Sequence, residues 1–487
     1  MPARDLRLAI DVGLTNVDGV VLDRGDHVVA RVKVPVGSDA RAGVRAALGR
    51  LAGQRTLDPA RIARAMLGSR AALEAVTARR GLLRVAVVRI GAPLTLAVPP
   101  LATWPGDLRR AASAGEVVIG GGARYDGHPG GRLDEDALAE FLTIVAGHAE
   151  AIAVTSVFSP MAPEHELAAA DVARRELGGG VPVSLSHEIG SLGLLERENA
   201  TVLNAALVGV AGQVAATLRD ALEGHDVDAE LYFGQNDGTV MTLEHAVRFP
   251  VLMIGSGPAS AMRGAAWLSG VTGGVVVDVG GTRTDVGSLV NGFPREAPPP
   301  TEIAGVRASF RTPDVITLPF GGGSATLTHA AAAGGRAELG SRSLSLRERR
   351  ALGEVLAEVD AELADAIDRA KGTPRETALV VVGGAAMLVP GDLPGVSDVI
   401  VPADGALAGA IGLAIAPAGG QADRICENRP EERQRAVAAA RAEAFARAIH
   451  AGADPDRVAV VEVDETPLAY MRDPAIRVRV KAMGPRT

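Results

Sequence analysis

The sequence predicts an α/β fold in two lobes that share one site, and three observations carry that prediction. Short valine-rich runs at 85–90, 152–158, 275–279, 379–382 and 399–401 alternate with longer Ala/Leu/Arg segments of helical spacing. That is the pattern of buried strands interleaved with helices. Residues 8–23 (LAIDVGLTNVDGVVLD) and 275–292 (VVVDVGGTRTDVGSLVNG) then follow one plan: apolar strand, Asp, Gly, Thr, Asp, apolar strand. Asp11 and Asp278 lie 267 positions apart, one in each half of a 487-residue chain, which is too long for a single core.

Taken in order, residues 1–190 form a first lobe opened by the first Asp-Gly-Thr stretch and closed near SHEIGSLGLLERENATVLNAAL, where a loop passes into a helix. Residues 191–420 form a second lobe with the second such stretch; EAPPPTEIAG, at 296–305, reads as a proline-rich surface connection inside it. Residues 421–487 add a helix and strands on the body. In that helix Ala438, Ala442, Phe445 and Ile449 fall on one stripe. The later IRVRVKAM alternates strictly, as a half-exposed strand does.

Composition narrows the function classes. Hydrophobic residues make up 47% and charged residues 22%, so a sizeable core is available. The net charge of −8, with no basic cluster, argues against a nucleic-acid surface. Cys426 is the only cysteine, which leaves no intrachain disulfide or cysteine-rich metal site. The opening MPARDLRLAIDVG passes straight into a strand, and no uncharged apolar run reaches the 18 or so residues of a membrane span. A reducing, cytoplasmic setting is therefore expected.

A strand–Gly-turn–strand hairpin suits phosphate. Its glycines let backbone N–H groups approach an anion, and neighbouring hydroxyls add donors. The carboxylate just before the turn suits a divalent cation such as Mg²⁺, which keeps several of its waters. Asp11 and Asp278 are thus the metal candidates. Gly13, Thr15 and Asn16 form one cradle, and Gly280, Gly281, Thr282 and Thr284 the other. Asp18 and Asp285 follow seven residues after each, placed to order the turn, bind metal or orient a nucleophile; Asp11, Asp278 and Asp285 are the catalytic candidates. The plain alternative is a pair of tight hairpins whose Asp and Thr serve only the turns. LPFGGGSATL and LVVVGGAAMLVP add Gly321, Gly322, Gly323, Gly383 and Gly384, where a nucleotide lies against bare backbone. MIGSGPASAMRGAA starts a helix after Pro258 whose N-terminus also suits an anion. His128, His165, His187 and His329 form no close metal-binding pair; His165 and His187 follow strands, open to either a cleft role or a plain hydrogen-bonding one.

The ordered motifs LLERENATVLNAAL, NDGTVMT, SGPASAMRGAAWLSG, VVDVGGTRTDVGSLVNGFPRE and GALAGAIGLAIAPAGGQADRI resemble the hydantoinase A/oxoprolinase family, as do EVVIGGGARYDGHPGGRLDEDAL and VVEVDETPLAYM. The resemblance covers nearly the whole chain. It implies an actin/Hsp70/sugar-kinase-like (ribonuclease H-like) fold closing on ATP and Mg²⁺. It also implies phosphorylation of a cyclic amide of the hydantoin, lactam or 5-oxoproline class, with a separate B-type subunit. The sequence departs from the family at LGSRAALEAV, where Ser69 and Arg70 replace a threonine pair and Leu73-Glu74 a Thr-Asn, and at Arg283, which replaces a hydroxyl residue. Two other readings share the hairpins: a small-molecule kinase, and a nucleotide-binding regulatory protein without turnover.

Overall fold

The computed structural model describes residues 4–37, 39–54, 58–124, 127–190, 193–322, 346–468 and 475–486, the side chains of 346–356 excepted. The first hairpin seeds its largest sheet. Leu6–Val12 runs antiparallel to Asn16–Leu22, with Asp11 opposite Asp18. On its other edge it runs parallel to Ile62–Ser69, with Asp11 opposite Gly68. The sheet has nine strands, in the order Val28–Pro35, Asn16–Leu22, Leu6–Val12, Ile62–Ser69, Glu230–Gly234, Val240–Thr242, Ala418–Glu427, Ala475–Gly484, Ala459–Leu468. Strand membership thus crosses the expected boundaries at 190 and 420.

The second hairpin seeds a six-stranded sheet by the same pairing. Gly274–Val279 runs antiparallel to Thr284–Val290, with Asp278 opposite Asp285, and parallel to Thr377–Val382. Two helices, Ser256–Ser269 and Ala408–Ile415, fill the space between the sheets, the first packing on the six-stranded sheet and the second on the nine-stranded one. They cross backbone to backbone: a methyl on Gly264 would strike the Ala408 carbonyl, and one on Gly412 the Ser260 carbonyl. The first of these helices starts two residues before Pro258, because first-turn N–H groups have no intrahelical acceptor and a proline there costs none.

A third sheet of four parallel strands, ordered Ser113–Gly120, Val85–Ala92, Ala151–Ser156, Val183–Leu185, is sandwiched between helices. Ala86, Val88, Ile152 and Val154 pack on one side with residues of Glu135–Val145 and Glu164–Leu177. Val85, Val87, Ala151 and Ala153 pack on the other with the helix Leu194–Glu223. By length and composition that helix is apolar enough to cross a membrane, yet Val202, Leu203, Ala205 and Leu207 are fully buried in the core. Its polar start fastens it to the sheet. Arg89 donates to both Glu198 oxygens at 2.6 Å, Trp104 Nε1 donates to Asn199 at 2.7 Å, and Arg197 donates to the Ser156 carbonyl at 2.6 Å.

Three segments differ from expectation. The helix Pro430–His450 buries Ala436, Ala440, Ala444 and Ala448, while Ala438 and Ala442 are exposed. Methyl-sized side chains let the helix lie close on strands Ala418–Glu427 and Ala475–Gly484. Ala475–Gly484 is not half-exposed: Arg479 and Lys481 are 3% and 5% exposed, because buried counter-charges replace solvent. Arg479 and Lys481 pair with Glu296 at 2.5 and 2.9 Å, and Lys481 with Asp237 at 2.9 Å. The proline-rich connection supplies that Glu296, and its Thr301–Ile303 pairs with Val306–Ala308 in a ribbon whose Ile303 and Val306 enter the core.

Candidate functional site

The two hairpins end in the same turn. Gly13 N donates to the Asn16 carbonyl at 2.9 Å, and Gly280 N to the Arg283 carbonyl at 3.0 Å. The turns nearly touch, since a methyl on Gly281 would lie 2.5 Å from Thr15 Oγ1. Between them opens a cavity of about 450 Å³, within the size range of small-molecule sites. Asp11, Gly13, Thr15, Asn16 and Asp18 line it from one hairpin; Asp278, Gly280, Gly281, Thr282 and Arg283 line it from the other. Gly322, Gly383 and Gly384 complete the glycine-rich wall.

Three candidate residues lie elsewhere. Thr284 is fully buried, and its hydroxyl donates to the Phe320 carbonyl at 2.9 Å, so it faces away from the cleft. Gly321 packs behind the Gly280–Thr282 turn rather than on the cavity wall. Asp285 is held from both sides, by the Thr317 hydroxyl at 2.6 Å and by Arg70 at 3.1 Å. Gly323 falls outside the described residues. His329 does too. His165 Nδ1 accepts from Gly122 N at 2.9 Å, and His187 Nδ1 meets Glu166 at 2.6 Å; neither lines the cleft.

The acids of the cleft are crowded and half-buried. Burial, then the Asp18 charge, pushes the Asp11 carboxyl up to about 7. Burial, then the Asp285 charge, pushes Asp278 up to about 6. Burial also raises Asp18, against the pull of the Lys33 ammonium 2.8 Å away. Among the described residues no group of three or more His, Cys, Asp or Glu is arranged to hold a metal. Asp11 and Asp278 with waters and phosphate oxygens do make a donor set that suits Mg²⁺. Carboxylates this reluctant to ionise are stabilised when a divalent cation arrives.

By sequence alone Arg70 stands only for a lost hydroxyl. The structure shows what replaced it. Ile62–Ser69 delivers Arg70 to the head of a helix, from where its guanidinium crosses to the second hairpin and pairs with Asp285, the side chains 15% and 5% exposed. Burial works against its charge, but Asp285, Asp278 and Asp11 together outweigh that and raise its pKa. Ser69 Oγ accepts from Ala71 N at 3.2 Å, serving the helix start. The usable signal was position: an arginine at the carboxyl end of a strand neighbouring the Asp11 strand. Lys33 Nζ to the Ala406 carbonyl, at 3.1 Å, and an Arg31–Asp404 contact also join the two halves.

Residues 7–177 match the description Hydantoinase/oxoprolinase N-terminal region, and residues 197–349 match Hydantoinase/oxoprolinase. Among solved structures, an ATP-dependent caprolactamase from Pseudomonas jessenii superposes with a TM-score of 0.75 at 18% identity, covering 98% of this chain and 87% of that one. A nucleotide-free acetone carboxylase, described in terms of ATP-dependent acetone carboxylation, gives a TM-score of 0.71 at 16% identity, covering 99% and 88%. An uncharacterized protein of Methanocaldococcus jannaschii is 26% identical over 167 residues, 33% of this chain and 24% of that protein. The match to that curated relative therefore spans about a quarter of its length.

Proposed function

Because the chain belongs to the hydantoinase/oxoprolinase family and has its two-lobed actin/Hsp70/sugar-kinase-like fold, we propose that it is an ATP-dependent enzyme subunit acting on cyclic amides. In this reading it phosphorylates the ring carbonyl oxygen of a hydantoin, lactam or 5-oxoproline, and a B-type partner subunit completes ring opening in the cytoplasm. The observation that carries the reading is the cleft itself. Two matching hairpins from distant sequence put phosphate-type turns and the Asp11–Asp278 pair around one cavity.

Bound Mg²⁺-ATP would supply the phosphoryl group and the charge neutralisation that in-line transfer needs. The residues then divide the work. The backbone N–H of Gly281 and the Thr15 and Thr282 hydroxyls on the cleft wall would hold phosphate oxygens, while the Gly13 and Gly280 N–H groups close the turns; Asp11 and Asp278 would hold the cation. Arg70 places a fixed positive charge beside both aspartates, where it meets charge on the group in transfer. Asp285 acts through Arg70, fixing its direction, rather than on substrate. An amide oxygen is a weak nucleophile, and once phosphorylated the ring carbon is open to water.

Arg70 in place of the hydroxyl pair also favours a second reading, a nucleotide-binding relative that has lost turnover. One experiment separates the readings: a panel of hydantoins, lactams and 5-oxoproline assayed for ADP release, with and without a B-type protein. The proposal expects substrate-dependent ADP only with the partner. A stable phosphorylated product without it indicates a small-molecule kinase. ATP binding with no hydrolysis under any condition indicates the regulatory relative.

A further inference from the structure

A second cavity, of about 600 Å³, lies between the 159–163 segment, the short helix Ser186–Ile189 and the C-terminal helix Pro430–His450. It shares no lining residue with the cleft between the hairpins. Met161, Phe249, Val251, Leu252 and Phe310 supply apolar lining, alongside five arginines and five carboxylates.

Most of those charges are already matched. Glu188 meets Arg248 at 2.5 Å, and Glu443 meets Arg424 at 2.5 Å and Arg447 at 2.7 Å. Asp237 and Glu296 are taken by Lys481 and Arg479. What remains is Arg311, Arg477 and Asp423. Arg311 reaches Glu296 only at 3.7 Å, and that carboxylate is already bonded to Arg479 and Lys481. Arg477 reaches Asp423 and Asp464 only at 3.9 Å, and its Nε is buried with no hydrogen-bond partner. Asp423 comes no nearer to Arg477 than 3.9 Å, and burial raises its pKa although four arginines around it pull the other way.

Both guanidinium groups are therefore mostly out of water, 18% exposed each, with donors that the protein does not fill. Buried donors of a charged group are costly to leave unmet. An arginine fork matches a carboxylate edge-on, two N–H groups to two oxygens. The volume and aromatic lining ask for more than a bare ion, since sites of this size bury an organic body. We propose that this cavity binds a small organic carboxylate, its carboxylate held by Arg311 and Arg477 and its hydrocarbon part lying against Phe249, Leu252 and Phe310. The site stands apart from the nucleotide cleft and does not rest on the ATP reading.

Calorimetric titration of the full chain tests this, with straight-chain carboxylates from butyrate to octanoate, the matching primary amides, and inorganic phosphate. Carboxylates bind saturably, more tightly as the chain lengthens, and about ten-fold or more tighter than the matching amides, the size of one charge-assisted hydrogen bond. Arg311→Gln and Arg477→Gln each weaken carboxylate binding by a similar factor, while the thermal unfolding transition and the circular dichroism spectrum stay at their wild-type values and report the fold. Equal affinity for acid and amide, no saturable binding to the wild type, or phosphate binding as tight as octanoate overturns the proposal. Carboxylate affinity unchanged in both folded variants overturns it too. Should either variant fail to fold, the wild-type comparison of acid with amide decides alone.

Discussion

Asp278 sits at a glycine turn on the cleft wall, so its carboxylate contributes little packing and much charge. Asp278→Asn should lower ATP hydrolysis by about 10²-fold or more while moving the melting temperature by only a few degrees. Full turnover, or outright unfolding, would remove the assigned role. Arg70→Ala leaves Asp285 with Thr317 as its remaining partner and strips the fixed cation from the cleft; turnover should drop by about 10²-fold, with nucleotide affinity falling less. If Arg70→Ala raises turnover, the guanidinium is an obstruction and the regulatory reading gains. The acids also predict a pH effect. In metal-free protein Asp11 titrates near 7 and Asp278 near 6, above the ordinary 3.8. Between roughly pH 4 and 7 the folded chain then holds more protons than the unfolded one, so stability falls as pH rises through that window and levels off above it. With a chelator present, melting should occur at higher temperature at pH 5 than at pH 8, and Asp11→Asn should flatten the slope; identical slopes would contradict it. Asp11, Asp278 and the turn glycines were legible in sequence because the strand, the acid and the turn are neighbours in the chain. Arg70 was not, since its meaning comes from Asp285, 215 residues away.

The helix Leu194–Glu223 shows how one motif can resemble a family and still do structural work. Glu198 is 1% exposed and bonded at both oxygens by the fully buried Arg89. Removing one member strands a charge in the core, so Glu198→Ala should cost about 3–5 kcal/mol of stability, read by urea unfolding. A loss under 1 kcal/mol would mean that water reaches Arg89. The C-terminal helix and strand depart from their sequence patterns for related reasons. Alanines at Ala436, Ala438, Ala439, Ala440, Ala442, Ala444 and Ala448 surround much of the helix, so spacing alone does not choose which row meets the sheet. Alternation in IRVRVKAM looks the same whether its basic face meets solvent or buried Glu296 and Asp237.

At the scale of the molecule, two sheets clasp a pair of helices, and Arg70, Lys33 and Arg31 each reach across to the other half. Ligand that binds only this folded arrangement stabilises it by mass action. A non-hydrolysable ATP analogue at 100 times its Kd should therefore add about 2.7 kcal/mol, and a melting temperature unmoved by saturating analogue with Mg²⁺ would count against the cleft as its site. The two-lobed α/β plan was legible because each hairpin announces its own sheet. The make-up of the nine-stranded sheet was not, because Glu230–Gly234 and Ala418–Glu427 carry nothing in their own residues that names Ile62–Ser69 and Val240–Thr242 as neighbours.

That sheet also sets a timetable for synthesis. Its founding strand, Leu6–Val12, leaves the ribosome long before Ala418–Glu427 and Ala475–Gly484 exist to continue the sheet beyond Val240–Thr242. At typical translation speeds the interval of roughly 400 residues lasts about 20–80 s. For that time a nascent chain carries an uncovered apolar face, with Ala9, Val20, Leu22 and Met66, which the helix Ala408–Ile415 buries in the finished fold, and an exposed apolar patch of that kind invites aggregation. Stalled chains ending before residue 408 should therefore bind holdase chaperones or precipitate, and chains released past residue 484 should not. Equal solubility on the two sides of that point would show that the early strands fold without their late partners.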